Sequence, residues 1–133
     1  MLIEVELYQV IITEGSPTQG IVLKEISGER AFPIFIGYNE AMAIDRKIKD
    51  FQVPRPLTHD LLQLVIEKLG GRLERIVLND LREGTYYAQL VIAHNGGVIE
   101  IDSRPSDAIA LAVRMDVPIF IEEGVLKRAM TAE

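Results

Sequence analysis

Residues Pro105 to Met115 read Pro-Ser-Asp-Ala-Ile-Ala-Leu-Ala-Val-Arg-Met, a helix-length run that is apolar almost all the way round. A helix of that kind is buried on most sides, so the rest of the chain has to cover it. Much of that rest carries strand patterns. Leu2 to Ile12 alternates at its start, with Ile3, Val5 and Leu7 against Glu4 and Glu6, as a half-buried strand does. Gly20 to Ile26 and Arg30 to Ile36 follow after a loop at 13–20 and a turn at 27–29. Three short strands with short connections predict an antiparallel meander, and Pro33 confines the third to an edge or a strand start. Arg72 to Leu81 and Thr85 to His94 are joined at Arg82-Glu83-Gly84. Asn95-Gly96 is a tight-turn signal leading into Val98 to Asp102. Pro118 to Ile121 is a last short strand before a helical or frayed tail.

Two further helices lie between the meanders. Glu40 to Phe51, with Asn39 as N-cap, carries Ala41, Ile44, Ile48 and Phe51 on one stripe. The next starts at Thr58 as N-cap and runs through Leu61, Leu62, Val65, Ile66 and Leu69 to a Gly70-Gly71 stop. The expected fold is therefore α+β: one domain with a mixed, largely antiparallel β-sheet and three main helices.

Composition narrows the function classes. The chain has 133 residues, 48% hydrophobic and 26% charged, enough for one domain with a real core;. No apolar run approaches the roughly 20 residues that span a bilayer, so no membrane partner is expected. The N-terminus carries acidic residues where a secretory signal would be basic. There is no cysteine, which removes thiolate catalysis and cysteine-ligated zinc;. A cytoplasmic location is the expectation. The net charge of −6 argues against generic electrostatic binding to nucleic acid;, although a few arginines could still meet phosphate locally.

Two matching strings carry the chemistry. Pro54-Arg55-Pro56-Leu57-Thr58-His59-Asp60-Leu61 and Asp102-Ser103-Arg104-Pro105-Ser106-Asp107-Ala108 each set Arg-Pro, a hydroxyl residue and an Asp ahead of a helical apolar run. Capping explains part of this: Thr58 or Ser106 can cap, and Asp60 or Asp107 complements the helix dipole. A functional reading takes what capping leaves over. Arg55 and Arg104 suit bidentate phosphate or carboxylate binding, and Ser106 sits at a helix start that attracts anions. His59 could act as acid or base near neutral pH, or be a plain hydrogen-bonded residue. Asp102 and Asp107, with Asp60 or Glu40 at the entrance of the preceding helix, could hold a divalent cation such as Mg²⁺ or Mn²⁺. Equally, Asp102 could pair with Arg104 or Arg55 in a structural salt bridge. No Gly-rich phosphate loop, GxSxG, HExxH or GxGxxG is present.

At the same residues the chain resembles the bifunctional nuclease domain family. Phe35-Ile36-Gly37 with Glu40-Ala41, the PRPLTHDL string, Ile101-Asp102-Ser103-Arg104-Pro105-Ser106-Asp107-Ala108-Ile109-Ala110-Leu111-Ala112 and Pro118-Ile119-Phe120 carry the likeness. It covers about Leu2 to Leu126. The resemblance implies a small mixed α/β domain that forms homo-oligomers, and nuclease activity on RNA and DNA attributed mainly to plant members in which the domain is fused to other segments. The expectation is a phosphodiesterase with His59, Asp60, Asp102 and Asp107 as catalytic or metal-holding groups and Arg55 and Arg104 on phosphate. The alternative is a non-catalytic homo-oligomeric or small-anion-binding module in which the same arginines and aspartates lock the fold.

Overall fold

The alternating segments pair as two meanders. In the computed structural model, which describes residues 1–131, β1 (Leu2–Ile11), β2 (Gln19–Glu25) and β3 (Ala31–Ile36) form the first and are antiparallel throughout. The second consists of β4 (Arg72–Arg82), β5 (Thr85–His94) and β6 (Gly97–Ser103), also antiparallel. Its two turns need left-handed backbone at both central residues: Glu83 and Gly84 have φ of 50° and 80°, Asn95 and Gly96 of 51° and 77°. That is the twist-matched two-residue hairpin turn.

β7 (Ile119–Glu122) joins the meanders. It runs antiparallel to β1 and parallel to β4, giving one seven-stranded sheet in the order β3-β2-β1-β7-β4-β5-β6. The fold is thus the expected α+β single domain with a mixed, mostly antiparallel sheet. Pro33 lies in β3, which is an edge strand, where a missing N–H costs no ladder bond;.

The sheet curls strongly. In a flat sheet the first and sixth strands would stand roughly 24 Å apart at about 4.8 Å per step. Yet Phe32 of β3 stacks on Tyr86 of β5 with ring centroids 5.9 Å apart and planes at 27°. Inside the curl lies α3 (Pro105–Met115), with Ser106 and every residue from Ala108 to Ala112 buried. Its buried residues share one core with Ile21, Leu23, Ile34, Ile76, Leu90 and Ile92, as its all-round apolar surface requires. The tail forms α4 (Glu123–Thr131), which buries Val125 and Leu126.

The other helices depart from their expected starts. α1 runs Tyr38–Ile48, and Gly37, with extended backbone, occupies the N-cap position; Asn39 is inside the helix and caps nothing. A Cβ built on Gly37 would meet Glu40 Oε1 at 2.3 Å, so glycine leaves room for that carboxylate to fold back over the helix entrance. Ala41 and Ile44 are buried, but Ile48 and Phe51 are exposed, and Phe51 lies beyond the helix end. α2 runs Thr58–Lys68 with Leu57 at the N-cap. Neither Thr58 nor Ser106 caps its helix. Asp60 closes α2 instead, its Oδ2 accepting the Leu57 N–H at 3.0 Å, and Arg104 stands at the N-cap of α3. No helix of the described residues is long and apolar enough to cross a membrane.

Candidate active site

The two Arg-Pro strings, far apart in the chain, meet where α2 crosses α3. His59, the second residue of α2, is 13% exposed, and its Nε2 lies 2.9 Å from Asp107 Oδ1. The second oxygen of Asp107 accepts a hydrogen bond from Arg104 Nε at 2.9 Å. Arg104 then reaches across to α1, with Nη1 3.4 Å from Glu40 Oε2. The result is an unbroken line His59–Asp107–Arg104–Glu40 that links the N-termini of α1, α2 and α3. Burial pushes the Asp107 carboxyl up, but the hydrogen bonds from Arg104 and His59 outweigh it and hold it below the ordinary carboxylate range;. The same contact with Asp107 raises the Arg104 guanidinium.

Asp60 points the other way. Its Oδ1 accepts from Arg114 Nε at 2.9 Å, and its remaining oxygen holds the Leu57 N–H. Partial burial raises its carboxyl; Arg114 and the backbone N–H lower it further, so the net direction is down. Arg114 itself is 4% exposed and also donates to the Ala110 and Ala43 carbonyls at 3.2 Å each. It ties α1, α2 and α3 at one point. Arg114 was not among the residues singled out in the sequence, although Arg104, Asp107 and Arg114 are the charged positions of an otherwise apolar helix, spaced to fall on one face.

Asp102 stands apart. In β6 it sits opposite Gln89, whereas Ser103 and Ile101 sit opposite the core residues Ala88 and Leu90. Successive strand residues face opposite sides, so Asp102 lies on the sheet face turned away from α3. Its charge acts there on Arg82, whose guanidinium stacks 4.6 Å from the Tyr87 ring centroid. Asp102 therefore meets neither Asp107, Arg104 nor Arg55, and the cation pair expected with Asp107 is not assembled. Among the described residues no group of three or more His, Asp or Glu is placed to hold a metal ion. Arg55 is exposed on the loop before α2 and makes no ion pair among the described residues.

Two open clefts flank Arg104. One, of about 630 Å³, contains His59, Asp107 and Glu40 with Arg46, Arg104 and Arg114. Arg104 is paired there with Asp107 and Glu40, and Arg114 with Asp60, while Arg46 makes no ion pair among the described residues. The other, of about 480 Å³, opens between β3 and the start of β5 and reaches Ser106. Such an arrangement is suited to gripping a phosphate at Arg104 while a histidine, oriented by a carboxylate, moves a proton.

The family follows from comparison as well as from these residues. The model of the bifunctional nuclease domain matches residues 21–133, and the chain belongs to that family. An uncharacterized protein of Mycobacterium tuberculosis is 40% identical over 126 residues, covering 95% of this chain and 75% of its own length. "Bifunctional nuclease 2" of Oryza sativa is 30% identical over 118 residues, and "Bifunctional nuclease 1" of Arabidopsis thaliana 28% over 116. The chain spans 36% of the length of each of these plant proteins.

Proposed function

We propose that this chain hydrolyses phosphodiester bonds of RNA or DNA, with His59 as the proton-transfer group and Arg104 as the phosphate clamp. The observation that carries the reading is the His59–Asp107–Arg104 line at the mouth of an arginine-lined cleft. Asp107 engages Nε2 of the imidazole, which fixes the ring and leaves Nδ1 as the atom that exchanges a proton. A neutral His59 takes the proton of an attacking water, and the leaving oxygen receives one in return. Arg104 keeps Nη2 free of hydrogen bonds among the described residues and is 63% exposed, so it can grip the phosphate without breaking its hold on Asp107. The uncapped N–H groups at the start of α3 add to the stabilisation of developing charge;. The plant relatives' names support the reaction class.

The test is cleavage of a single-stranded 12-mer by His59→Gln and Asp107→Asn, purified identically to the wild type. The turnover rate is expected to fall about 10²–10⁴-fold while both variants keep a cooperative melt. Undiminished cleavage in either variant would sink the reading.

The partner we infer is a second copy of the chain, seated on α2. That helix buries none of its residues and exposes Leu61, Leu62 and Val65, with Leu69 exposed at its C-cap. Ile99 and Ile101 of the edge strand β6 share its side of the sheet, being paired with the core residues Ile92 and Leu90, and are also exposed. A contiguous apolar face joined to an unpaired strand edge is the kind of surface a monomer seldom leaves open. Light scattering after chromatography should give a closed oligomer for the wild type and a monomer for Leu61→Ser with Val65→Ser. A wild-type monomer at 100 μM would remove the interface.

A further inference from the structure

The cleft between β3 and β5 has no part in the proton chemistry, yet it shares Arg104 with it. Ile34, Phe35 and Ile36 at the end of β3, and Gly37 after them, border it. Neighbouring strand residues face opposite sides, so three in a row on one cleft bring the strand's own edge to it. β3 is the outer strand of the sheet, and the backbone donors and acceptors on that edge have no ladder partner. Facing them is Tyr86, half-buried and held in place by its stacking on Phe32. Burial raises its hydroxyl.

At the inner end lies Ser106. It is 5% exposed, yet its hydroxyl makes no hydrogen bond among the described residues and looks into the cleft beside Arg104. The hydroxyl is the open tip of a buried side chain and is not one of the sealed polar atoms left without a partner, so a ligand entering the cleft meets a free donor and acceptor there. It sits at a helix start with no side-chain cap, so the partner it suits is an anion. The cleft therefore offers an aromatic wall, a row of backbone hydrogen-bonding groups and an anion-binding end. Its volume of about 480 Å³ is ample for one heterocycle.

We propose that this cleft is a base-binding subsite: it receives an unpaired nucleobase, with the adjoining phosphate on Ser106 and Arg104. The proposal rests on the nuclease reading above and gives it a direction, since the strand passes from this cleft over Arg104 to His59. A base in a duplex has its edge occupied and its faces stacked, so it cannot enter. Stacking on aromatic side chains is how single strands are held without sequence reading.

The experiment compares two fluorescent 12-mers of equal charge, one of thymidylate and one of abasic sugar-phosphate, by anisotropy at fixed salt. Wild type should bind the thymidylate probe roughly ten-fold more tightly. Ser106→Ala should weaken both probes alike, because it touches only the phosphate end. Independently of any variant, a 5-iodouracil 12-mer irradiated on the wild type should crosslink to the peptide containing Tyr86. Equal affinity for the two probes, or crosslinks only outside residues 34–37 and 84–86, would overturn the subsite while leaving the cleavage reading intact. If neither probe binds and the native 12-mer is not cut, the nuclease reading falls and takes the subsite with it.

Discussion

Helices α2 and α3 are the same length, eleven residues, and each begins with Arg-Pro, a hydroxyl residue and an Asp in the first turn. They differ in what surrounds them. α3 is enclosed by the curled sheet and buries six residues; α2 buries none. α3 is thus placed by packing, which is stiff to displacement. α2 is placed by Ile66, which packs against the core, and by two polar links to α3, His59 to Asp107 and Asp60 to Arg114. The same sequence grammar opens both helices, and the partners decide which becomes scaffold and which becomes the adjustable wall of a cleft.

The contrast can be broken in order of size. Leu111→Ala in α3 removes a fully buried side chain and should cost about 2–5 kcal/mol;, read as a lower urea midpoint. Arg114→Met leaves Asp60 and two carbonyls without their donor. Since Asp60 is partly open to water, the loss should be about 2–3 kcal/mol rather than the full value for a sealed pair;. It should also loosen α2, so hydrogen exchange at Leu61 to Val65 is expected to rise more than in the sheet.

Asp60→Asn sharpens the same point through pH. Folding lowers the Asp60 carboxyl, so its contribution is complete above the unfolded value of about 3.9 and is lost as pH falls through the lower folded one. With solvent screening this amounts to about 1 kcal/mol. The variant should be less stable at pH 7 and show a shallower acid limb between pH 2 and 4; an unchanged limb would mean that the Arg114 pair carries no stability. The smallest effect belongs to Leu61→Ala, expected within about 0.5 kcal/mol in the monomer for an exposed side chain. A cost that grows with protein concentration would instead report that a second copy covers it.

The strands, the Asn95-Gly96 turn and the burial of α3 were legible because each rests on local chemistry: alternation, left-handed turn residues, an all-round apolar run. The place of β7 between β1 and β4 is a long-range pairing that no local pattern carries. Helix entrances were not legible. Asn39 and Thr58 are good caps by type, but Glu40 folding over Gly37 and Asp60 holding Leu57 place the entrances elsewhere, and those contacts depend on side-chain geometry. At the site, His59, Asp107, Arg104 and Glu40 were all named from the sequence and do converge. Asp102 was named beside them but lies on the opposite sheet face. The register that puts it opposite Gln89 follows from the Asn95-Gly96 turn; which face the helices cover is a tertiary fact. Arg114 carries no signal of its own in the sequence, because a single charge late in an apolar helix reads as a helix-end residue until α2 is docked on it.

β7, only four residues long, is the one strand among the described residues that bridges the two meanders. Until Ile119 to Glu122 slot between β1 and β4, the halves of the sheet share no ladder, and α3, just upstream, has no curl to occupy. Assembly therefore waits for contacts between chain ends, the long-range closure that slows folding. The meeting of His59 with Asp107 needs α3 seated in that curl, so a chain whose β7 has come away from β1 and β4 loses the support for the His59–Asp107–Arg104 line as well.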